Sequence, residues 1–213
     1  IGNEEAAVKI INLYNYIAEN SKQFSDKCLY RIGNIYKNLG KNGEAIKFYN
    51  KAIESSEDKN FTITLTLEIA ELYKKEGEKK SSEEILQKVL SQSFDGLDYS
   101  LLARIAQSCG QLGKYEKEVE ILRQLVEKSP KTEIAKNAQY RIACIYNFCL
   151  KNFIQAIEEY KKFINLYPND WRITLCWKQI GGIHLELQEY EKALEVQKKL
   201  LEINPDDPSP KVM

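Results

Sequence analysis

Apolar residues fall along this chain in paired helical stripes. Between Asp26 and Lys59, one stripe sets Leu29, Ile32, Gly33 and Tyr36 on a single helical face, and a second does the same with Ala45, Tyr49, Ala52 and Ile53. Gly40, Lys41, Asn42 and Gly43 separate them and read as a turn. The stretch predicts two helices folded back on each other. Small residues at Gly33, Ala45 and Ala52 let such helices approach closely, while large neighbours fill the grooves between them. A hairpin of this kind cannot bury its apolar face alone, so it needs copies of itself.

Four further stretches supply them, giving five expected hairpins at about 26–59, 61–95, 97–131, 132–169 and 171–205. The second carries Ile69, Ala70, Tyr73 and Gly77, then Ser82, Leu86 and Val89. The third carries Leu102, Ile105, Ala106, Cys109 and Gly113, and Pro130 stops its second helix. Its misfit is Glu118, standing where alanine is expected: either the carboxylate snorkels to the edge of the seam or the two helices stand further apart there. The fourth carries Ile142, Ala143, Tyr146, Ala156, Tyr160, Phe163 and Pro168, with one extra residue in its turn around Leu150 to Asn152. The fifth carries Trp177, Ile180, Gly181, His184, Tyr190, Ala193, Leu200 and Pro205, with Gln197 a departure. The small residue recurs at Gly33, Ala70, Ala106, Ala143 and Gly181, at separations of 37, 36, 37 and 38 residues. One array is therefore expected. Ala6, Ile10, Leu13 and Ile17 in residues 1–20 read as the second helix of an upstream repeat, and residues 206–213 as an unstructured tail.

With Asp26 as position 1, the pattern is large at positions 4 and 7, small at 8, aromatic at 11, glycine at 15, alanine at 20, aromatic at 24 and alanine at 27. This resembles the tetratricopeptide repeat, a helix-turn-helix unit of about 34 residues. The fourth hairpin, with its YRIACIY and AIEEYKKFI runs, is similar to repeats of bacterial cell-envelope assembly factors of that superfamily. The resemblance implies an all-α, right-handed superhelix of antiparallel helical hairpins whose first helices line a concave groove. It also implies that positions 2, 5, 6, 9, 12 and 13 face a protein or peptide partner. Here these include Tyr30, Arg31 and Asn34 from the first hairpin and Glu68 and Glu71 from the second. Arg104 and Gln107 follow, then Asn137, Tyr140, Arg141, Asn147 and Phe148, and finally Lys178. Arg31, Arg104 and Arg141 are placed to receive carboxylates or carbonyls of a partner, or to pair inside the array with acids such as Glu68 or Glu71. The family's clamp for a chaperone's terminal carboxylate is matched only at Asn34 and Arg104, and missed at Tyr30, Glu68 and Ser100.

Charge narrows the choice of partner. The 213 residues hold 31 basic and 31 acidic side chains, so no general attraction to nucleic acid or acidic lipid is expected. An RNA-binding helical-repeat protein therefore stands as a disfavoured alternative. A self-assembling module joined through its array ends, a homo-oligomer, stands as another. No run of apolar residues is long enough to span a bilayer. The five cysteines, 28, 109, 144, 149 and 176, are odd in number and scattered, which points to a reducing, cytoplasmic setting with the periplasm left open. The chain opens on Ile1 without a leader pattern, which reads as a native N-terminus lying upstream. Catalytic chemistry has little to draw on. His184 is the single histidine and falls at a packing position, the cysteines lack paired metal spacing, and no phosphate-cradling glycine motif is present. The reading is a non-catalytic protein-protein interaction scaffold with no metal and no cofactor.

Overall fold

The computed structural model describes residues 2–203, so the helix stop expected at Pro205 and the tail expected at 206–213 lie outside the described residues. Eleven α-helices and no strand are found among the described residues. In order they are α1 (Gly2–Asn20), α2 (Ser25–Asn38), α3 (Asn42–Glu54), α4 (Lys59–Lys75), α5 (Lys79–Leu90) and α6 (Tyr99–Gln111). They continue with α7 (Tyr115–Lys128), α8 (Glu133–Cys144), α9 (Phe153–Leu166), α10 (Ile173–Glu186) and α11 (Tyr190–Ile203). The protein is all-α, built from consecutive antiparallel helix pairs joined by short turns. Two compact units divide between Leu101 and Leu102.

In the first unit, α2 and α3 close on the small residues the sequence singles out. A Cβ added to Gly33 would lie 2.5 Å from the Tyr49 ring, so only glycine permits this approach. Tyr49 is fully buried, and its hydroxyl donates to Asn34 Oδ1 at 2.7 Å. Leu29, Ala45, Ala52, Leu65, Ile69 and Leu72 complete this core. At the start of α4, Asp58 caps the helix by accepting from the Phe61 N–H at 3.2 Å. Ser82, where alanine is expected, is buried without penalty because its hydroxyl donates to the Ala70 carbonyl at 2.8 Å. On α1 the stripe Ala6, Ile10, Leu13 does not supply the packed face. Ala7, Ile11 and Ala18 are the ones turned inward as α1 packs on α2, leaving Ile10 and Leu13 46% and 58% exposed. Neighbouring apolar stripes on one helix look alike in sequence, and only the direction of α2 selects between them.

In the second unit, the core of α8 to α11 gathers Ala143, Ala156, Tyr160, Phe163, Ile180, Ile183, Val196 and Leu200. The extra residue of the fourth hairpin is absorbed by a π-turn over Ile145–Cys149. There the Leu150 N–H donates to the Ile145 carbonyl at 2.9 Å, and the Asn152 N–H donates to the Tyr146 carbonyl at 2.8 Å. Each hairpin turn needs one residue with left-handed backbone. Gly40, Gly77 and Gly113 take φ of 72°, 82° and 67°, whereas Lys151 and Gln188 take 53° and 60° with a side chain attached. Buried charges are paired throughout: Glu159 accepts from Arg123 Nη2 at 2.6 Å and from Gln139 Nε2 at 2.7 Å. Arg172, 5% exposed, is held by Asp170 at 2.7 Å and Glu133 at 2.7 Å. That pairing holds the Asp170 carboxyl down at about 2.

Candidate functional site

The first helices and the π-turn after α8 carry the residues that spacing assigns to the partner-facing surface, and the structure buries some of them and exposes others. In the first unit, Tyr30 is half-buried, with its ring centroid 6.1 Å from that of Tyr49 and 5.7 Å from that of Phe61. Asn34 is taken up by the Tyr49 hydroxyl. Glu68 receives Lys37 Nζ at 2.6 Å. Glu71 and Arg31 are exposed, and Arg31 makes no ion pair with any described residue. These side chains mostly hold the array together.

The second unit brings its residues around an open cavity. The pocket, about 580 Å³, lies between α6 and α8, with α7 beneath them. Gln107, Gly110 and Gln111 of α6 form one rim, and Asn137 and Arg141 of α8 the other. Glu118, Leu122 and Leu125 of α7 provide the floor, joined by Ala103, Ile134 and Ala138. Glu118 does not snorkel to the edge of the seam. It is buried, and Arg141 donates to it twice, Nε to Oε1 at 2.7 Å and Nη2 to Oε2 at 3.2 Å. The carboxylate fits because the facing residue is glycine: a Cβ on Gly110 would come within 2.5 Å of Glu118 Oε2. Arg141 is thus paired inside the array by Glu118, not by Glu68 or Glu71. The guanidinium pairing keeps Arg141 firmly charged.

Asn137 is exposed, and its Oδ1 accepts from Arg172 Nη1. Tyr140 packs edge-on against Phe163 at 5.8 Å, and burial pushes its hydroxyl up to about 12. Asn147 is buried in the π-turn and donates to Gln179 Oε1 at 3.2 Å. Phe148 is 54% exposed; Gln107 and Lys178 are exposed, and Arg104 is half-buried. Spacing misses Gly110, Gln111, Glu118 and Leu122 as lining residues of the pocket. The available signal was Glu118 itself, an acid at a position that otherwise hides an alanine or a serine. His184 packs at 8% exposure, with Nδ1 2.7 Å from Glu189 Oε2. Among the described residues, no three His, Cys, Asp or Glu side chains gather as metal ligands, and no helix is long and apolar enough to cross a membrane.

Family models of the tetratricopeptide repeat match residues 26–59, 99–132 and 176–207, and another matches residues 137–170. The chain belongs to the tetratricopeptide repeat family. Hairpin α4–α5 lies between the matched segments and has the same build. Among solved structures, MamA is similar at 18% identity with a TM-score of 0.60, over 89% of this chain and 98% of that one. YrrB, a tetratricopeptide repeat protein with an unusual peptide-binding site, is similar at 17% identity and a TM-score of 0.57, over 91% and 92%. A tetratricopeptide repeat protein from Parabacteroides merdae is similar at 16% identity and 0.59, over 86% of this chain and 68% of that one. At these identities the likeness is one of fold. No curated protein matches the sequence. Tetratricopeptide repeat proteins are in general non-catalytic scaffolds for protein interaction, and this chain is a scaffold of that architecture.

Proposed function

We propose that this tetratricopeptide array binds a segment of another protein across the first helices of its second unit, with the pocket between α6 and α8 as the anchoring point. The observation that supports this is the pocket itself: about 580 Å³, open to the surface, floored by leucines and rimmed by side-chain amides. Its size falls within the range of specific ligand sites, roughly 300–1,000 Å³. The first unit contributes less, because Tyr30, Asn34 and Glu68 are already engaged within the fold. Peptides selected from a displayed random library test the reading. They should bind the wild-type protein and lose at least tenfold in affinity for Ala103→Trp, which fills the pocket from the α6 side. Equal binding by a folded Ala103→Trp variant would move the site elsewhere.

A second reading, self-association, is favoured by the apolar side of α1, where Val8, Leu13 and Tyr16 are 54%, 58% and 66% exposed. Sedimentation of wild type beside Leu13→Glu tests it. A wild-type protein that stays monomeric at high concentration removes it.

A further inference from the structure

We infer that the α6–α8 pocket selects an uncharged apolar side chain of a bound peptide, holds a main-chain carbonyl beside it through Asn137, and refuses an acidic residue. This rests on the groove reading above and gives it a chemistry. It also reverses the role that an arginine on a groove wall first suggests.

The first argument is electrostatic. Among the described residues Arg141 is the one cation lining the pocket, and its Nε and Nη2 are engaged by Glu118 at 2.7 and 3.2 Å. A ligand carboxylate that captured Arg141 would strand Glu118, which is 2% exposed, as a buried charge without a counter-ion. It would also lie beside that carboxylate as a like charge. A ligand cation fares no better: it meets the exposed Arg141 guanidinium as a like charge, and Glu118 is already paired with that guanidinium. The two charges of the lining cancel, so complementarity calls for a neutral occupant. The remaining floor, Ala103, Leu122, Leu125, Ile134 and Ala138, is apolar. A leucine-, methionine- or phenylalanine-sized side chain matches it.

The second argument is the orientation of Asn137. Its amide receives Arg172 Nη1, and a guanidinium can only donate, so Oδ1 must face Arg172. Arg172 is buried and fixed by Asp170 and Glu133. Asn137 Nδ2 is therefore directed away as a set donor, and it has no hydrogen-bond partner among the described residues. Exposed as it is, Nδ2 can donate to an incoming acceptor, and a peptide carbonyl is a neutral one. Across the pocket, Gln107 and Gln111 can both donate and accept, as the N–H and C=O groups of a peptide main chain require.

Methyl and side-chain amide NMR with capped amino acids tests this. The probes are the N-acetyl, N-methylamide derivatives of leucine, phenylalanine, glutamate and lysine. The leucine and phenylalanine probes should shift the Leu122, Leu125 and Ile134 methyls and the Asn137 amide group saturably, with the glutamate and lysine probes at least tenfold weaker. Asn137→Asp keeps a partner for Arg172 but removes the donor, and should weaken the leucine probe about fivefold. Glu118→Gln releases Arg141 and should raise the affinity of the glutamate probe. A wild-type protein that takes glutamate as well as leucine overturns the inference and leaves the groove reading standing. The same holds if no probe moves the pocket while selected peptides still shift α6 and α8. If neither peptides nor probes touch this face, both fall.

Discussion

Glu118 of α7 and Arg141 of α8 form a two-point ion pair, with Glu118 buried and the Arg141 side chain 45% exposed. The two partners are therefore unequal. Arg141→Ala leaves an acid buried without its counter-ion and should cost about 2 kcal/mol, less than a fully buried pair because water reaches this one. Glu118→Ala restores alanine at that position and should stay within about 1 kcal/mol of wild type. In the double variant most of the Arg141→Ala loss should vanish. Urea unfolding of the four proteins measures the coupling, and additive losses would mean that the pair does not form in solution.

Two glycines in helix interiors should answer the same substitution with opposite signs. At Gly33 a new Cβ would sit 2.5 Å from the ring of Tyr49, which is fully buried and hydrogen-bonded to Asn34. Overpacking there should outweigh the gain in helix propensity, so Gly33→Ala loses about 1–2 kcal/mol. At Gly182 a Cβ would meet nothing within 4 Å. Gly182→Ala should gain up to about 1 kcal/mol. Thermal unfolding midpoints decide both.

Asp170 links stability to pH. Arg172 bonds to it through Nε at 2.7 Å and Nη2 at 2.8 Å, and its carboxyl falls to about 2. Because the folded value lies below the unfolded one near 3.9, the contribution is complete above about pH 4 and is lost as pH falls toward 2. Asp170→Asn should therefore be less stable than wild type by about 2 kcal/mol at pH 7, with the difference shrinking between pH 4 and 2. A gap that is unchanged across that window would contradict the assignment.

Gln188 holds the hairpin turn between α10 and α11 at φ 60°, where three other turns use glycine. Gln188→Gly relieves that conformation at some cost in chain entropy, and should stabilise the protein by about 0.5–1 kcal/mol. Chemical unfolding of the single variant checks the sign.

The repeat pattern made most of the fold legible in advance. Gly33, Ala45 and Ala52 mark a close helix approach because nothing larger fits, and the same spacing recurs hairpin after hairpin. The candidate site was only half legible. Gln107, Asn137 and Arg141, which spacing assigned to one face, do line one pocket, but spacing could not say that Arg141 is already paired. That depended on Glu118, more than twenty residues away on the neighbouring second helix, and on the space left by Gly110.

Local periodicity by itself determined which residues form helices and where the chain turns, because those depend on neighbours within a turn or two. Tertiary structure alone decided which α1 stripe is buried, which polar groups are spent, and where a cavity opens. Those outcomes depend on side chains from different hairpins meeting in space, as Arg172 does with Asn137 and Arg141 with Glu118. A charge that looks free along the chain is neutralised by whatever residue the fold sets against it.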